Sequence, residues 1–354
     1  MDYKIRKRRD GKQAIFDKNG KMITKEWFDE IKEDGLVWGQ SPYYIAREGN
    51  KYAIFDIDGN QISDWYDDIS PDGLVKGESN LYVAKKDEKQ AIFDKDGNMI
   101  TPEWFDWIYL FDGLVNGKSN FYIAEKDGKQ AIFDVNGNMI TPEWFDTIYL
   151  DGLVRGESKY YIAVKDGRVA IFDKDGNMIT PQWFGMIEKY GLVKGESDYY
   201  LAVKNGKYAI FDKNGKQISE WYDYIFSDGL VEGESSLYVA VKGNRWENGK
   251  YAIFDVYGNQ ITQWFDYIWG SCLVSGESDY YIACNKNICA VYYKDGKKVS
   301  DDFSLDIEDV INITFNENLG IAEIETYNGT RTIDFNPVYP FKEKIIDYTK
   351  LLNI

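Results

Sequence analysis

Short apolar and aromatic runs alternate with turn residues along nearly the whole chain, and the alternation itself recurs. Tyr199-Tyr200-Leu201-Ala202-Val203 reads as a β-strand ending at Asn205-Gly206, and Lys207 to Asp212 reads as its partner. The Asp212-Lys213-Asn214-Gly215 turn leads to a third run carrying Ile218 and Trp221-Tyr222, and Gly191 to Ser197 typifies a fourth, Gly-Leu-Val-x-Gly-Glu-Ser. Asp followed three residues later by Gly is turn chemistry: the carboxylate accepts from nearby backbone N–H groups and Gly adopts positive φ. Four such runs predict one small antiparallel sheet per unit.

The Ala-Ile-Phe-Asp signature begins at Ala14, Ala53, Ala91, Ala131, Ala170, Ala209 and Ala252, with steps of 38 to 43 residues. A fixed period of this length marks a repeat architecture, whose units cannot bury their apolar faces alone and must stack. The longest step comes from Gly243 to Asn248 (GNRWEN), an insertion that maps to a loop. Each unit carries one Trp after its signature: Trp27, Trp65, Trp104, Trp144, Trp183, Trp221 and Trp264. Burying such a ring between units contributes ~5 kcal/mol before entropy is subtracted. The expectation is that these indoles form inter-repeat core, with exposed ligand platforms as the other reading.

The ends are worn. A degenerate copy lies near Ala290, where Phe-Asp is lost and Asp302-Phe303 stands in for the Trp, and 319–337 reads as closing strands around an Asn-Gly turn. From Pro340 the spacing of Phe341, Ile345, Ile346, Tyr348, Leu351 and Leu352 predicts a short amphipathic helix. The predicted organisation is a β-repeat domain over 1–339 and a helical tail over 340–354. The fold class is all-β: a propeller of seven or eight small antiparallel blades, or alternatively an open β-solenoid. The first strand is unusually basic, with Lys4, Arg6, Lys7, Arg8 and Arg9. It reads as an edge strand guarded by charge, or as a contact for an acidic partner.

Composition narrows the function. Acidic residues outnumber basic ones 59 to 42, for a net charge of −17 over 354 residues. A surface this negative repels nucleic acid and anionic membranes and favours a protein partner with a basic surface. No run of 18 apolar residues occurs, and Met1 to Asp10 lacks the apolar core of a signal peptide. Cys272, Cys284 and Cys289 are few and odd in number, which predicts reduced thiols and a cytoplasmic location. The chain has no histidine, which removes histidine-based nucleophilic catalysis and histidine zinc sites. The Asp-x-x-Gly turns lack the further oxygen ligands of a calcium loop, so no metal or cofactor is expected.

The strings Gly-Lys-Gln/Tyr-Ala-Ile-Phe-Asp-Lys-Asp/Asn-Gly-Asn/Lys-x-Ile, Trp-Phe/Tyr-Asp-x-Ile and Asp-Gly-Leu-Val together resemble the bacterial WG-repeat family over about residues 10 to 300. The Trp-Gly pair that names the family is replaced by Gln13-Ala14, Tyr52-Ala53 and Gln90-Ala91. The resemblance implies a propeller-like or extended β-repeat array not associated with one catalytic activity, that is, a binding scaffold.

Within the repeat, Glu78, Glu157, Glu196, Glu234 and Glu277 of the Gly-Glu-Ser segments are the candidate partner-binding residues. Stacked copies would set these acids in a row or ring facing a cationic partner; otherwise they cap strand ends in solvent. The expected function is a non-catalytic protein interaction module. The alternatives are an acidic, nucleic-acid-mimicking inhibitor of a basic enzyme and a carbohydrate-binding repeat.

Overall fold

A computed structural model describes residues 2–338 apart from Phe111. The helix expected over 340–354 lies outside the described residues. Apart from one helical turn, Ser271–Val274, and one 3-10 turn, Ile307–Asp309, the elements are β-strands. They form a tandem series of small antiparallel sheets in two compact units: the chain up to Glu196 with Lys213–Lys216, and Ser197–Asp212 with the chain from Gln217 onward.

In the first unit, Tyr3–Lys7 pairs with Gln13–Asp17 alone. Three-stranded sheets follow, for example Asp68–Ile69 beside Leu81–Lys86 beside Lys89–Asp94. Each two-residue strand comes from the end of one sequence unit and joins the hairpin of the next. Sheet and sequence unit are therefore out of phase. The second unit holds the hairpin Tyr199–Lys204/Lys207–Asp212 and the sheet Tyr224–Ile225, Leu237–Lys242, Lys250–Asp255. Next come the four-stranded sheet Tyr267–Trp269, Tyr280–Asn285, Ile288–Tyr293, Phe303–Ser304 and a last sheet of Val310–Asn316, Ile321–Thr326 and Gly329–Asp334. The 319–337 segment thus pairs within a sheet of its own with the strand before it.

Period-two alternation explains why the strands read as continuously apolar. Tyr82, Ala84, Ala91 and Phe93 face the preceding hairpin, in one cluster with Ile45 and Ile54. Val83 and Ile92 point the other way, into a cluster with Tyr122, Ala124, Ala131 and Phe133. The interior hairpins are buried on both faces, so they need neighbours on both sides, whereas Tyr3–Lys7 and Gly329–Asp334 are largely exposed. The alanines pair across the strands, Ala84 with Ala91, and leave room for the Tyr82 and Phe93 rings, stacked 5.4 Å apart.

Two expectations need correction. The Gly-Leu-Val segment is not a strand: Glu78 N–H donates to the Gly73 carbonyl at 2.8 Å, and Gly73 and Gly77 have φ of 81° and 74°, closing a tight turn that tucks Leu74 and Val75 inward. The free edge of each hairpin is instead covered by isolated bridges, such as Phe93 to Met99 and Gln90 to Phe105. The repeat tryptophans are half-buried and not core. The neighbouring ring is the buried one, Phe105 at 0% exposure next to Trp104. The indoles nonetheless bridge units: Trp104 packs at 5.7 Å on Phe93 of its own unit and at 6.0 Å on Tyr66 of the unit before.

A third correction concerns the cysteines. Cys284 and Cys289 stand directly opposite each other in a hairpin and are joined by a disulfide. Cys272 is buried and its thiol donates to the Ile313 carbonyl at 3.1 Å.

Candidate binding site

The Asp of each Trp-Phe/Tyr-Asp-x-Ile motif clamps two hairpins together. Asp67 pairs with Lys51 of its own hairpin, and its second oxygen accepts from the Asp87 N–H in the turn of the next. Asp106 and Asp146 do the same with the Asp127 and Asp166 N–H groups. These donors hold the carboxyls below their ordinary range: the Lys51 ammonium and the Asp87 N–H for Asp67, the Asp127 N–H and then Lys89 for Asp106.

Of the candidate glutamates, Glu78, Glu157, Glu196 and Glu234 each accept, with one oxygen, the N–H of the Gly five residues earlier, at 2.7 to 3.0 Å. They close the Gly-Leu-Val turn, as Gln40 does with the Gly35 N–H. All five candidates, Glu277 included, are exposed. In the first unit the turns abut: a Cβ on Gly117 would lie 2.7 Å from the Glu78 carbonyl oxygen, and one on Gly156 would lie 2.6 Å from that of Lys118. Gln40, Glu78, Lys118, Glu157 and Glu196 thus occupy equivalent places in successive turns, so the acids are interrupted by a lysine.

The feature that departs from the repeat lies in the second unit. Where the hairpins on either side close with a two-residue turn, Lys242 and Lys250 flank the Gly243 to Asn248 insertion. Gly243 N–H is still caught by Asp223 at 2.8 Å, as in the other repeats. Asn244 then organises the loop, its side chain accepting the Trp246 N–H at 3.0 Å, and the Tyr251 hydroxyl donates to the Arg245 carbonyl at 2.7 Å. The Arg245 guanidinium sits 4.0 Å over the Tyr224 ring and 4.4 Å over Trp246, whose indole is 81% exposed.

Beneath the loop is a cavity of about 350 Å³ with a mostly apolar lining. Its walls are a chain of rings in edge or tilted contact: Phe226 to Tyr251 at 6.4 Å, Tyr251 to Tyr267 at 5.5 Å, and Tyr267 to Trp269 at 6.1 Å. Asp228 is the carboxylate among the lining residues. Asp228 is exposed at its outer side, yet partial burial, and then the charge of Glu232, pushes its carboxyl above the ordinary value. In two sister turns the equivalent acid has a cation four residues on: Asp72 pairs with Lys76 at 2.6 Å, and Asp151 pairs with Arg155; Asp34 has Trp38 at that position, and Asp112 has Asn116 but pairs with Lys118 and Arg155. In the Asp228 turn the position four residues on is Glu232, which accepts from the Ser227 hydroxyl at 2.7 Å.

Sequence reasoning singled out the insertion only as a loop and did not find this site. One signal was available: Glu232 stands four residues after Asp228, where the Asp72 and Asp151 turns carry Lys76 and Arg155.

No family model matches the chain, and no curated protein matches it. Among solved structures, a eukaryotic initiation factor is similar at 10% identity with a TM-score of 0.35, covering 96% of both chains. Hsv2 of Kluyveromyces lactis is similar at 12% identity with a TM-score of 0.28, over 85% of this chain and 97% of that one. BamB of Moraxella catarrhalis is similar at 13% identity with a TM-score of 0.24, over 85% and 91%. Likenesses this loose carry nothing about what the chain binds.

Proposed function

We propose that the protein is a non-catalytic interaction module that engages a protein partner with a basic surface through the second unit's insertion and the acidic turns beside it. The observation that carries this reading is Trp246: an indole 81% exposed, backed by Arg245, on the loop inserted in the Leu237–Asp255 hairpin. The other repeat tryptophans pack half-buried against rings of their own array. In repeat proteins, insertions confined to one unit gather on the face that binds, and exposed Trp and Arg are the residue types that anchor interfaces. The net charge of −17 favours a basic partner and speeds its encounter.

The test is affinity capture with the whole chain, identification of the retained protein, and direct titration of that protein. Trp246→Ala should abolish retention, and binding should weaken steeply between about 50 and about 500 mM salt. A partner held equally by the wild type and Trp246→Ala, or held independently of salt, would defeat the reading.

A further inference from the structure

We propose that the cavity under the insertion binds an organic ammonium group on an apolar body, with Phe226, Tyr251, Tyr267 and Trp269 as walls and Asp228 and Glu232 as countercharge. The inference deepens the interaction-module reading and rests on it, because a cation presented by a basic partner is the natural occupant.

Three observations converge. First, the walls include four aromatic rings around a space of about 350 Å³, at the small end of ligand sites and large enough for an alkylammonium and a few methylene groups. Aromatic faces attract cations through the ring quadrupole, most strongly where water is excluded.

Second, this turn sets an acid four residues after its Asp, where two sister turns set a cation. Asp72 and Asp151 each have a cation four residues later, whereas Asp228 has Glu232. Among the described residues, no Lys or Arg forms an ion pair with Asp228 or Glu232. Asp228 lines the cavity and Glu232 raises its pKa from the same turn, so the two acids repel each other and an incoming cation relieves that repulsion.

Third, Arg245, the cation among the lining residues, is committed elsewhere. Its guanidinium lies between the Tyr224 and Trp246 rings and holds the loop over the cavity. A neutral apolar ligand would satisfy the walls but leave the acids unanswered. An anionic ligand would meet them with repulsion.

The experiment is calorimetric titration of the whole chain with benzyltrimethylammonium, and with neutral benzyl alcohol as control. The expected result is binding of the cation at least about tenfold tighter than the alcohol. Glu232→Lys rebuilds the Asp-Lys pair of the sister turns, and should weaken the cation about tenfold while the circular dichroism spectrum is unchanged. Asp228→Asn should do the same. Equal binding of cation and alcohol, no binding of the cation, or a Glu232→Lys variant that binds like wild type would overturn the inference.

A short peptide with one trimethyl-lysine distinguishes the sources of the cation. Tighter binding than the free ion assigns it to a polypeptide, and equal binding assigns it to a free ammonium. Partner capture that persists alongside a blank ammonium titration overturns this inference alone. Ammonium binding with no Trp246-dependent partner overturns the module reading instead.

Discussion

The Asp67 carboxylate accepts a hydrogen bond at 2.8 Å from the backbone N–H of Asp87, twenty residues further on and in the next hairpin. The same carboxylate pairs with Lys51 behind it, so one side chain fastens two sheets. Because its partners lower its pKa in the fold, its stabilisation is present above the unfolded value near 4 and is lost as pH falls through the lowered folded value. Asp67→Asn should therefore melt below wild type at pH 7, and the two melting curves should converge once the pH has fallen through the lowered folded value. A gap that is the same at every pH would mean that the carboxylate charge is not what holds the turn.

Glu88 occupies the second position of a hairpin turn with φ of 64°, where the corresponding turns carry Gly128, Gly167 and Gly206. A side chain in left-handed backbone costs about 1 kcal/mol, and the Lys85 pair it makes at 2.6 Å is exposed and contributes little. Glu88→Gly is expected to stabilise the protein by about 0.5 to 1 kcal/mol in urea denaturation. A loss of stability would show that the ion pair outweighs the backbone.

Gly73 tolerates no side chain. Its φ is 81°, and a methyl group there would collide with the Leu81 carbonyl oxygen and reach within 2.9 Å of the Val115 carbonyl oxygen. Gly73→Ala should cost about 3 kcal/mol or more, whereas Gly97→Ala, with φ of 85° but open space around it, should cost only the backbone penalty of about 1 kcal/mol. Equal losses for the two would remove close packing as the reason for Gly73.

Asp228 answers to the opposite sign. Its pKa is raised, so its ionised form is disfavoured in the fold above the folded value, and that penalty disappears below it. Asp228→Asn should raise the melting point slightly at pH 7, a stability gain of no more than about 0.5 kcal/mol for so exposed a group, with the difference closing as the medium is acidified. A variant less stable than wild type at pH 7 would mean that the carboxylate has a structural partner.

The repeat was legible because turns and alternation are local. Asp94 caps its turn through the Asp96 and Asn98 N–H groups at 2.9 and 2.8 Å, and Gly97 takes the positive φ that Asp-x-x-Gly implies. The Gly-Leu-Val segment misled because Leu74 and Val75 are buried residues of strand type, while the two glycines flanking them decide the backbone. The tryptophans misled by size: Trp104 spans two units, yet its edge stays in solvent and Phe105 fills the interior. Cys284 and Cys289 pair because hairpin register sets them opposite each other, which their count in the sequence does not reveal. The cavity depends on what one loop does to one sheet, and a repeat pattern describes the average copy. Only the exceptions, Glu232 after Asp228 and the Trp246 loop, pointed to it.

Because each period hands its last short strand forward, as Asp68–Ile69 is given to the Leu81–Asp94 hairpin, any window one period long contains the parts of a whole sheet regardless of where the window begins. Unequal recombination between copies of the gene segment could add or delete a period at many breakpoints without orphaning an edge. Array length can then drift freely, while an insertion such as the Trp246 loop is inherited as a single-copy mark on one member of the series.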